Sequence, residues 1–272
     1  MDPILIRPRF SGVRYWSELW KFRELLGFLA WRDLLVRYKQ TTLGVLWALL
    51  RPLVSMLILT LVFRDFGKLP SGPASYPAMV LCGLLPWQLI SGAFSESGNS
   101  LFNSSHLITK VYFPRLLIPV SSLISGCVDF LVSLVLLFGL LLFQGFPLSA
   151  NLVFLPVFLL MAIAAALAVG IGLSALVVRY RDIRYVLPFV VQMGLFLSPV
   201  GLVTSAVPEK YRLLYSFNPM VGIIDGFRWS ILGGDYPLSL RSVGLSAAII
   251  ALLLVAGITY FRKVERTFAD II

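Results

Sequence analysis

Long uninterrupted apolar stretches limit this chain to one kind of fold. Such stretches cover residues 43–63, 76–95, 116–143, 152–178, 185–207 and 242–261. A helix crosses the hydrocarbon core with about 20 apolar residues, whereas the strands of a membrane barrel alternate polar and apolar residues over about 10. These stretches are long and do not alternate. We therefore predict an all-α polytopic membrane protein with six transmembrane helices in a single domain, 1–272.

The distribution of charge predicts the orientation of the chain in the membrane. The formal net charge is +10, and most of the 23 lysines and arginines lie near the two ends, between spans two and three, or between spans four and five. Because loops rich in lysine and arginine stay in the cytoplasm, we predict cytoplasmic termini and an even number of crossings. The same rule accounts for the basic composition without a nucleic-acid partner.

Residues 208–232 are apolar but interrupted. Asn218 and Pro219 break the segment, and Asp225 and Arg228 lie in its second half. A seventh crossing here would put the C-terminus outside, so we predict two short helices that enter the outer face of the membrane and return. Such a break at membrane depth is tolerated only where protein or water covers the backbone.

Residues 15–41 have helical character but are too short and too charged to cross. Two apolar stripes in this segment point in different directions, which predicts a break near Gly27. Basic residues combined with tryptophan and phenylalanine are typical of a helix that lies in the headgroup layer. We predict an interfacial helix, with a packed pair of cytoplasmic helices as the alternative.

A short basic segment, residues 100–115, separates spans two and three; we call it the knuckle. Its polar start offers helix N-caps at Asn103, Ser104 and Ser105. We predict a short helix that is ended by Pro114 and carries an apolar tip. The tip is formed by Val111, Tyr112 and Phe113. Such a helix can dock into a groove of a soluble partner; a solvated connector is the alternative.

The sequence lacks the residues of familiar catalytic and metal sites. It contains one histidine, His106, and no GxxxxGK[ST], HExxH, CxxC or GxSxG motif. Cys82 and Cys127 both lie within apolar stretches and are predicted to be packing residues. Arg51 and Asp129 are the charges predicted at membrane depth, too few for a proton relay. We predict no catalytic residues, no metal site, and energy supplied by a partner.

Four motifs of the chain are RDLLVRYKQTTLGVLWALLRPL (32–53), LITKVYFPRLLIPVSS (107–122), RYRDIRYVLPFVVQMGLFLSPV (179–200) and NPMVGIIDGFRWSILGG (218–234). Together they resemble the type-2 ABC exporter permeases, and most closely those that export O-antigen, capsule and teichoic acid polysaccharides. The resemblance extends from about residue 15 to residue 262. Two positions depart from it: His106 stands where a small polar residue is expected, and Arg51 where glutamine or asparagine is commoner.

The resemblance implies six spans, an N-terminal interface helix, a coupling helix between spans two and three, and two gate helices before span six. It implies a homodimer in the cell inner membrane with two copies of a separate ATP-binding subunit, which would hold the ATP and Mg, so that this chain binds no cofactor. The cargo would be a polysaccharide on a lipid-pyrophosphate carrier. The coupling role would fall on Ser105, His106, Lys110, Val111, Tyr112, Phe113 and Arg115. The gate role would fall on Asn218, Pro219, Asp225 and Arg228.

Aromatic residues and the intramembrane charges are the candidates for contact with such a cargo. Sugar rings have apolar faces on which aromatic side chains stack. Four aromatics at seven-residue spacing are predicted to line the path, with packing against lipid or core as the alternative: Trp87, Phe94, Phe189 and Phe196. For Arg51 three interpretations stay open: a pair with Asp129, a contact with pyrophosphate, or a side chain that reaches the inner interface.

Other functions fit parts of the pattern. A drug or lipid exporter of the same superfamily would share the fold. A membrane-embedded glycan-processing enzyme would need large outer loops with catalytic carboxylates or histidines, and a secondary transporter would need internal repeats. The sequence has neither feature, so polysaccharide export is the preferred interpretation.

Overall fold

The all-α prediction is confirmed. The computed structural model describes residues 12–39, 44, 46–69, 72, 74–147, 149–233 and 236–268, and every regular element in these ranges is helical. The helices are α1 (Gly12–Lys21), α2 (Arg23–Lys39), α3 (Leu46–Thr60), α4 (Tyr76–Gly92), α5 (Gly98–Asn103), α6 (Ser105–Lys110), α7 (Leu117–Phe143), α8 (Leu155–Arg179), α9 (Ile183–Leu197), α10 (Glu209–Tyr215), α11 (Pro219–Leu232) and α12 (Leu240–Val264).

Five helical segments of the described chain are long and apolar enough to cross a membrane. They are Leu46–Phe66, Tyr76–Asn103, Leu117–Phe143, Ala150–Arg179 and Leu240–Thr267. Four of them extend an α-helix through a π or 3₁₀ turn: Leu61–Phe66 after α3, Ala93–Ser97 between α4 and α5, Ala150–Phe154 before α8, and Glu265–Thr267 after α12. They overlap the five predicted spans that begin at residues 43, 76, 116, 152 and 242.

The predicted fifth span, 185–207, is not one helix. Helix α9 ends at Leu197 after 15 residues, a length of about 22 Å against a hydrocarbon core of about 30 Å. Ser198 is extended because a residue that precedes a proline is disfavoured in the helical conformation, and Pro199 follows it. Hydropathy alone does not reveal the end of the helix at Leu197, because the residues that follow it are also apolar.

Residues 208–232 contain two short helices, α10 and α11. The Asn218 side chain accepts a hydrogen bond from the Met220 backbone N–H at 2.9 Å, and Pro219 occupies the first turn, where its missing N–H costs nothing. Helix α11 is buried along its length and packs against α12, α4 and α8. That the two helices dip into the outer face of the membrane and return stays a prediction.

The N-terminal break lies at Phe22, so the predicted break near Gly27 is wrong. Gly27 is inside α2, and a side chain added there would meet no atom within 4 Å. An exposed glycine within a helix costs only about 1 kcal/mol relative to alanine, which the remaining turns of α2 outweigh.

Helix α4 forms the centre of the packed structure. In the most apolar part of its span 72% of the residues are buried, against 22–28% in the other four. Helix α8 packs beside it, and α8 and α12 approach each other closely through small residues; a side chain added at Gly257 would lie 3.0 Å from the carbonyl oxygen of Ala168. The other long helices therefore leave apolar faces exposed, as expected for helices that contact lipid or another chain.

Candidate functional site

The knuckle contains two short helices, α5 and α6, which are separated at Ser104. Ser104 holds the N-cap position of α6, but its side chain makes no capping hydrogen bond there. Helix α6 ends at Lys110, because Val111 is extended (φ −128°, ψ 136°), and α7 begins only at Leu117. The prediction that Pro114 ends the knuckle helix is therefore wrong by four residues.

The tip of the knuckle consists of two exposed residues rather than three. Val111 and Tyr112 are 55% and 54% exposed, whereas Phe113 is only 6% exposed and packs with Ile108 and Leu116. The extended backbone at Val111 turns Phe113 inward, which the sequence pattern does not reveal. Of the remaining predicted coupling residues, His106 and Lys110 are exposed and Ser105 is half-buried.

Glu265 anchors the knuckle to the rest of the protein. Its Oε1 accepts a hydrogen bond from the Arg115 backbone N–H at 2.9 Å, its Oε2 accepts one from the Tyr15 hydroxyl at 3.2 Å, and its carbonyl oxygen accepts one from Arg115 Nη1. Burial raises the pKa of the Tyr15 hydroxyl, and the Glu265 carboxylate raises it further, so Tyr15 stays a donor. Helix α1, the knuckle and the end of α12 thus meet at one carboxylate.

A groove of about 570 Å³ lies beside this anchor. Its walls are α1, the knuckle and the turn after α12, and its lining carries both signs of charge, with Glu18 opposite Lys110, Arg262 and Arg266. A concave surface with an exposed apolar tip and mixed charge is suited to a protein segment rather than to a small apolar ligand.

A network of four polar side chains joins the end of α2 to two long helices; we call it the Arg37 clamp. Arg37 forms salt bridges with Glu96 and with Asp129, and the Tyr38 hydroxyl donates a hydrogen bond to Asp129. Burial raises the pKa of the Tyr38 hydroxyl, and its hydrogen bond to Asp129 adds to the shift. The clamp consists of Arg37, Tyr38, Glu96 and Asp129.

The open interpretation of an Arg51–Asp129 pair is wrong, because Asp129 pairs with Arg37. Sequence reasoning counted Arg37 only as a cytoplasmic topology signal, since nothing local shows that α2 returns to contact α7. Arg51 instead lines a cavity of about 840 Å³ together with Trp47 and Gln88, and the four clamp residues line the same cavity. Among the described residues Arg51 forms no salt bridge.

The predicted gate residues form a buried connection between α11 and its neighbours. Arg228 is 1% exposed, and its guanidinium donates hydrogen bonds to the carbonyl oxygens of Met79 (3.3 Å), Leu202 (2.9 Å) and Val200 (2.8 Å). Asp225 is also buried and accepts a hydrogen bond from the Thr204 hydroxyl at 2.8 Å. Both side chains therefore hold the 200–204 segment that follows α9, and Arg228 also joins it to α4.

Asn218 contributes to the same connection from the start of α11. Its side-chain amide donates to the carbonyl oxygen of Leu197 at 3.0 Å and to the Ser198 hydroxyl at 3.1 Å. The break after α9 and the start of α11 thus stabilise each other, with Asn218, Asp225 and Arg228 on one side and the 197–204 segment on the other.

The four predicted path-lining aromatics fall into two groups. Trp87 is buried against Gly194, where an added side chain would lie 2.5 Å from the Trp87 ring, and Phe94 is half-buried. Phe189 and Phe196 are exposed on α9. Only the second pair is on an open surface of this chain; a path-lining role for any of the four stays a prediction.

Metal ligation finds no support in the described part of the chain. No group of three histidine, cysteine, aspartate or glutamate side chains in these ranges could hold an ion.

Comparison with known proteins gives consistent matches along almost the whole chain. The profile of the family described as "ABC-2 type transporter" matches residues 24–232. The chain is 28% identical to the O-antigen export system permease protein RfbA of Myxococcus xanthus over 95% of this chain and 99% of that protein. It is 26% identical to the O-antigen export system permease protein RfbA of Klebsiella pneumoniae, over 92% of this chain and 95% of that protein. It is 24% identical to the polysialic acid transport protein KpsM of Escherichia coli, over 86% of this chain and 91% of that protein.

Proposed function

The chain belongs to the ABC-2 type transporter family, and from this premise we propose that it is the membrane-spanning permease subunit of a polysaccharide exporter. The observation that carries this proposal is the length of its similarity to an O-antigen export permease, which covers 95% of this chain and 99% of that one. Similarity to KpsM, a polysialic acid transport protein, supports the broader class of exported polysaccharide.

Two copies of the chain form the channel, and two copies of a separate ATP-binding subunit drive it with ATP and Mg. The chain contains no phosphate-binding loop of its own, so hydrolysis has to take place on the partner. The exposed Val111 and Tyr112 and the neighbouring groove are suited to receive that partner. ATP binding closes the partner subunits, displaces the knuckle and opens the path between the two permease chains.

The cargo is a sugar polymer on a lipid-pyrophosphate carrier. Phe189 and Phe196 lie on an open face of α9. Sugar rings can stack on them there, because stacking does not require hydrogen bonds at fixed positions along the polymer. Arg51 lines the 840 Å³ cavity next to the clamp and offers a cation to a pyrophosphate near the cytoplasmic side. Asn218, Asp225 and Arg228 stiffen the gate at the outer end of the path.

We propose that the chain lies in the inner membrane with both termini in the cytoplasm. Basic residues at both ends and in the two predicted cytoplasmic loops support this orientation. The knuckle, α1 and the end of α12 are in contact through Glu265, which requires all three to lie on the same side of the membrane.

A complementation experiment tests the proposal. Cells that lack the chain should lose their surface polysaccharide and regain it with the wild-type gene. Val111→Ser should restore little polysaccharide, because it weakens the apolar tip, whereas Val153→Ser, at an exposed valine in the turn before α8, should restore it fully. Normal surface polysaccharide in the deletion strain would refute the proposed function.

A further inference from the structure

The Arg37 clamp lies where the two spans that flank the knuckle come together. Glu96 belongs to the span Tyr76–Asn103, which leads into the knuckle, and Asp129 belongs to α7, which leads out of it. One guanidinium pairs with both carboxylates, through Nη2 to Glu96 and Nη1 to Asp129. A displacement of the knuckle relative to the membrane therefore acts on Arg37 from two sides.

The part of α2 opposite the clamp is apolar and exposed. Phe28 and Trp31 are both more than half exposed, which is suited to contact with the membrane surface. On its inner side α2 packs along α7, where Asp33 accepts a hydrogen bond from the Ser121 hydroxyl at 3.3 Å. Helix α2 thus has an exposed apolar face on one side and the clamp on the other.

The helix that carries Glu96 is not regular at that point. Glu96 is in the π turn Ala93–Ser97, between α4 and α5. Single π turns within α-helices mark positions where the helix departs from its regular hydrogen bonding, often at functional sites. Helix α5 can accordingly change its angle to α4 at the residue that Arg37 contacts.

We propose that the Arg37 clamp transmits the displacement of the knuckle to α2. Arg37 is in this sense a positioning residue for transport, and the inference rests on the proposed function. The guanidinium suits the role because its planar fork holds two carboxylates in fixed directions at once, which the single ammonium of a lysine does not.

The test uses the complete exporter, chain and ATP-binding subunit together, in proteoliposomes. ATP hydrolysis and polysaccharide export are measured for wild type, Arg37→Gln and Arg37→Lys. The matched control is Arg32→Gln, in the same helix, since Arg32 pairs only with its sequence neighbour Asp33 among the described residues. A coupling free energy of the usual size between two sites corresponds to a change of about 5-fold or more in the coupled quantity, which here is the polysaccharide exported per ATP.

We expect both Arg37 variants to hydrolyse ATP at close to the wild-type rate while their export per ATP falls about 5-fold or more, and Arg32→Gln to match wild type. Spin labels at positions 28 and 106, both exposed, provide a second measurement. In wild type the distance between them should stay the same when ATP binds, because α2 moves with the knuckle. In Arg37→Gln the distance should change.

Two results would overturn the inference. One is wild-type export by Arg37→Gln; the other is a parallel loss of ATP hydrolysis and export in Arg37→Lys, which would show a merely structural role. Failure of the proposed function looks different, because the wild-type complex itself would then show no ATP-dependent export of polysaccharide.

Discussion

Replacement of Arg228 by methionine should destabilise the protein strongly. Methionine has a similar length and fills the space, but it removes the three hydrogen bonds that the guanidinium donates to the carbonyl oxygens of Met79, Val200 and Leu202. Asp225, which lies nearby, also loses its neighbouring positive charge. The substitution therefore leaves the carbonyl oxygens of Val200 and Leu202 without the arginine donor, and the buried Asp225 carboxylate without a nearby cation.

The size of the effect follows from the number of groups left unsatisfied. Each buried acceptor that loses its donor costs about 1–3 kcal/mol; the carbonyl oxygen of Met79 keeps its N–H partner within α4, so the other two give at least about 2 kcal/mol. Relief of the desolvation of the arginine offsets part of this sum, and the loss of the cation near the buried Asp225 adds to it. We expect the free energy of unfolding to fall by about 2–5 kcal/mol.

The assay is reversible unfolding in mixed detergent micelles, with Arg212→Gln as the control. Arg212 also donates to backbone carbonyl oxygens, those of Val207 (2.9 Å) and Ser205 (3.1 Å), but it is exposed. Its replacement should change the free energy of unfolding by no more than about 0.5 kcal/mol. If Arg228→Met unfolded within about 1 kcal/mol of wild type, the carbonyl oxygens would not need the guanidinium and the reasoning would be refuted.

Three further predictions concern packing and anchoring. Gly226→Ala should destabilise by about 1–3 kcal/mol, because its new side chain would lie 2.0 Å from the Phe158 ring, and Phe158→Leu should restore part of the loss in the same unfolding assay. Glu265→Ala removes the two carboxylate hydrogen bonds of the anchor and leaves only the one at its backbone carbonyl oxygen, so protease cleavage in the knuckle should become faster; equal cleavage rates would contradict the anchoring by the carboxylate. Cys82 has no exposed surface and Cys127 is only partly buried, so a maleimide should modify Cys127 first in the native protein; equal modification of the two would contradict the packing of α4.

The long helices could be predicted because hydropathy is a property of neighbouring residues. The uncharged stretch 152–178 and the helical segment Ala150–Arg179 nearly coincide, since an apolar run of that length has no alternative to a helix in lipid. The stretch 185–207 was misjudged for the same reason. Its residues remain apolar beyond Leu197, and the break comes from the backbone conformation at Ser198–Pro199. The average hydropathy of a stretch of residues does not reflect that conformation.

The polar connections could not be predicted, because they join residues far apart in sequence. Arg37 and Asp129 are 92 positions apart, and Arg228 and Met79 are 149 apart. Charge at membrane depth correctly directed attention to Asp129, but the choice of its partner depends on where α2 packs. The inward turn of Phe113 likewise follows from the extended backbone at Val111, not from the composition of the knuckle.

The central claim is that this chain is a conduit whose energy comes from ATP hydrolysed on another subunit. The direct measurement is transport of lipid-linked polysaccharide across proteoliposomes that contain either the chain alone or the chain with its ATP-binding subunit. The account predicts transport only with both proteins and ATP, and none by the chain alone under an ion gradient. Uphill transport by the chain alone on such a gradient would contradict it.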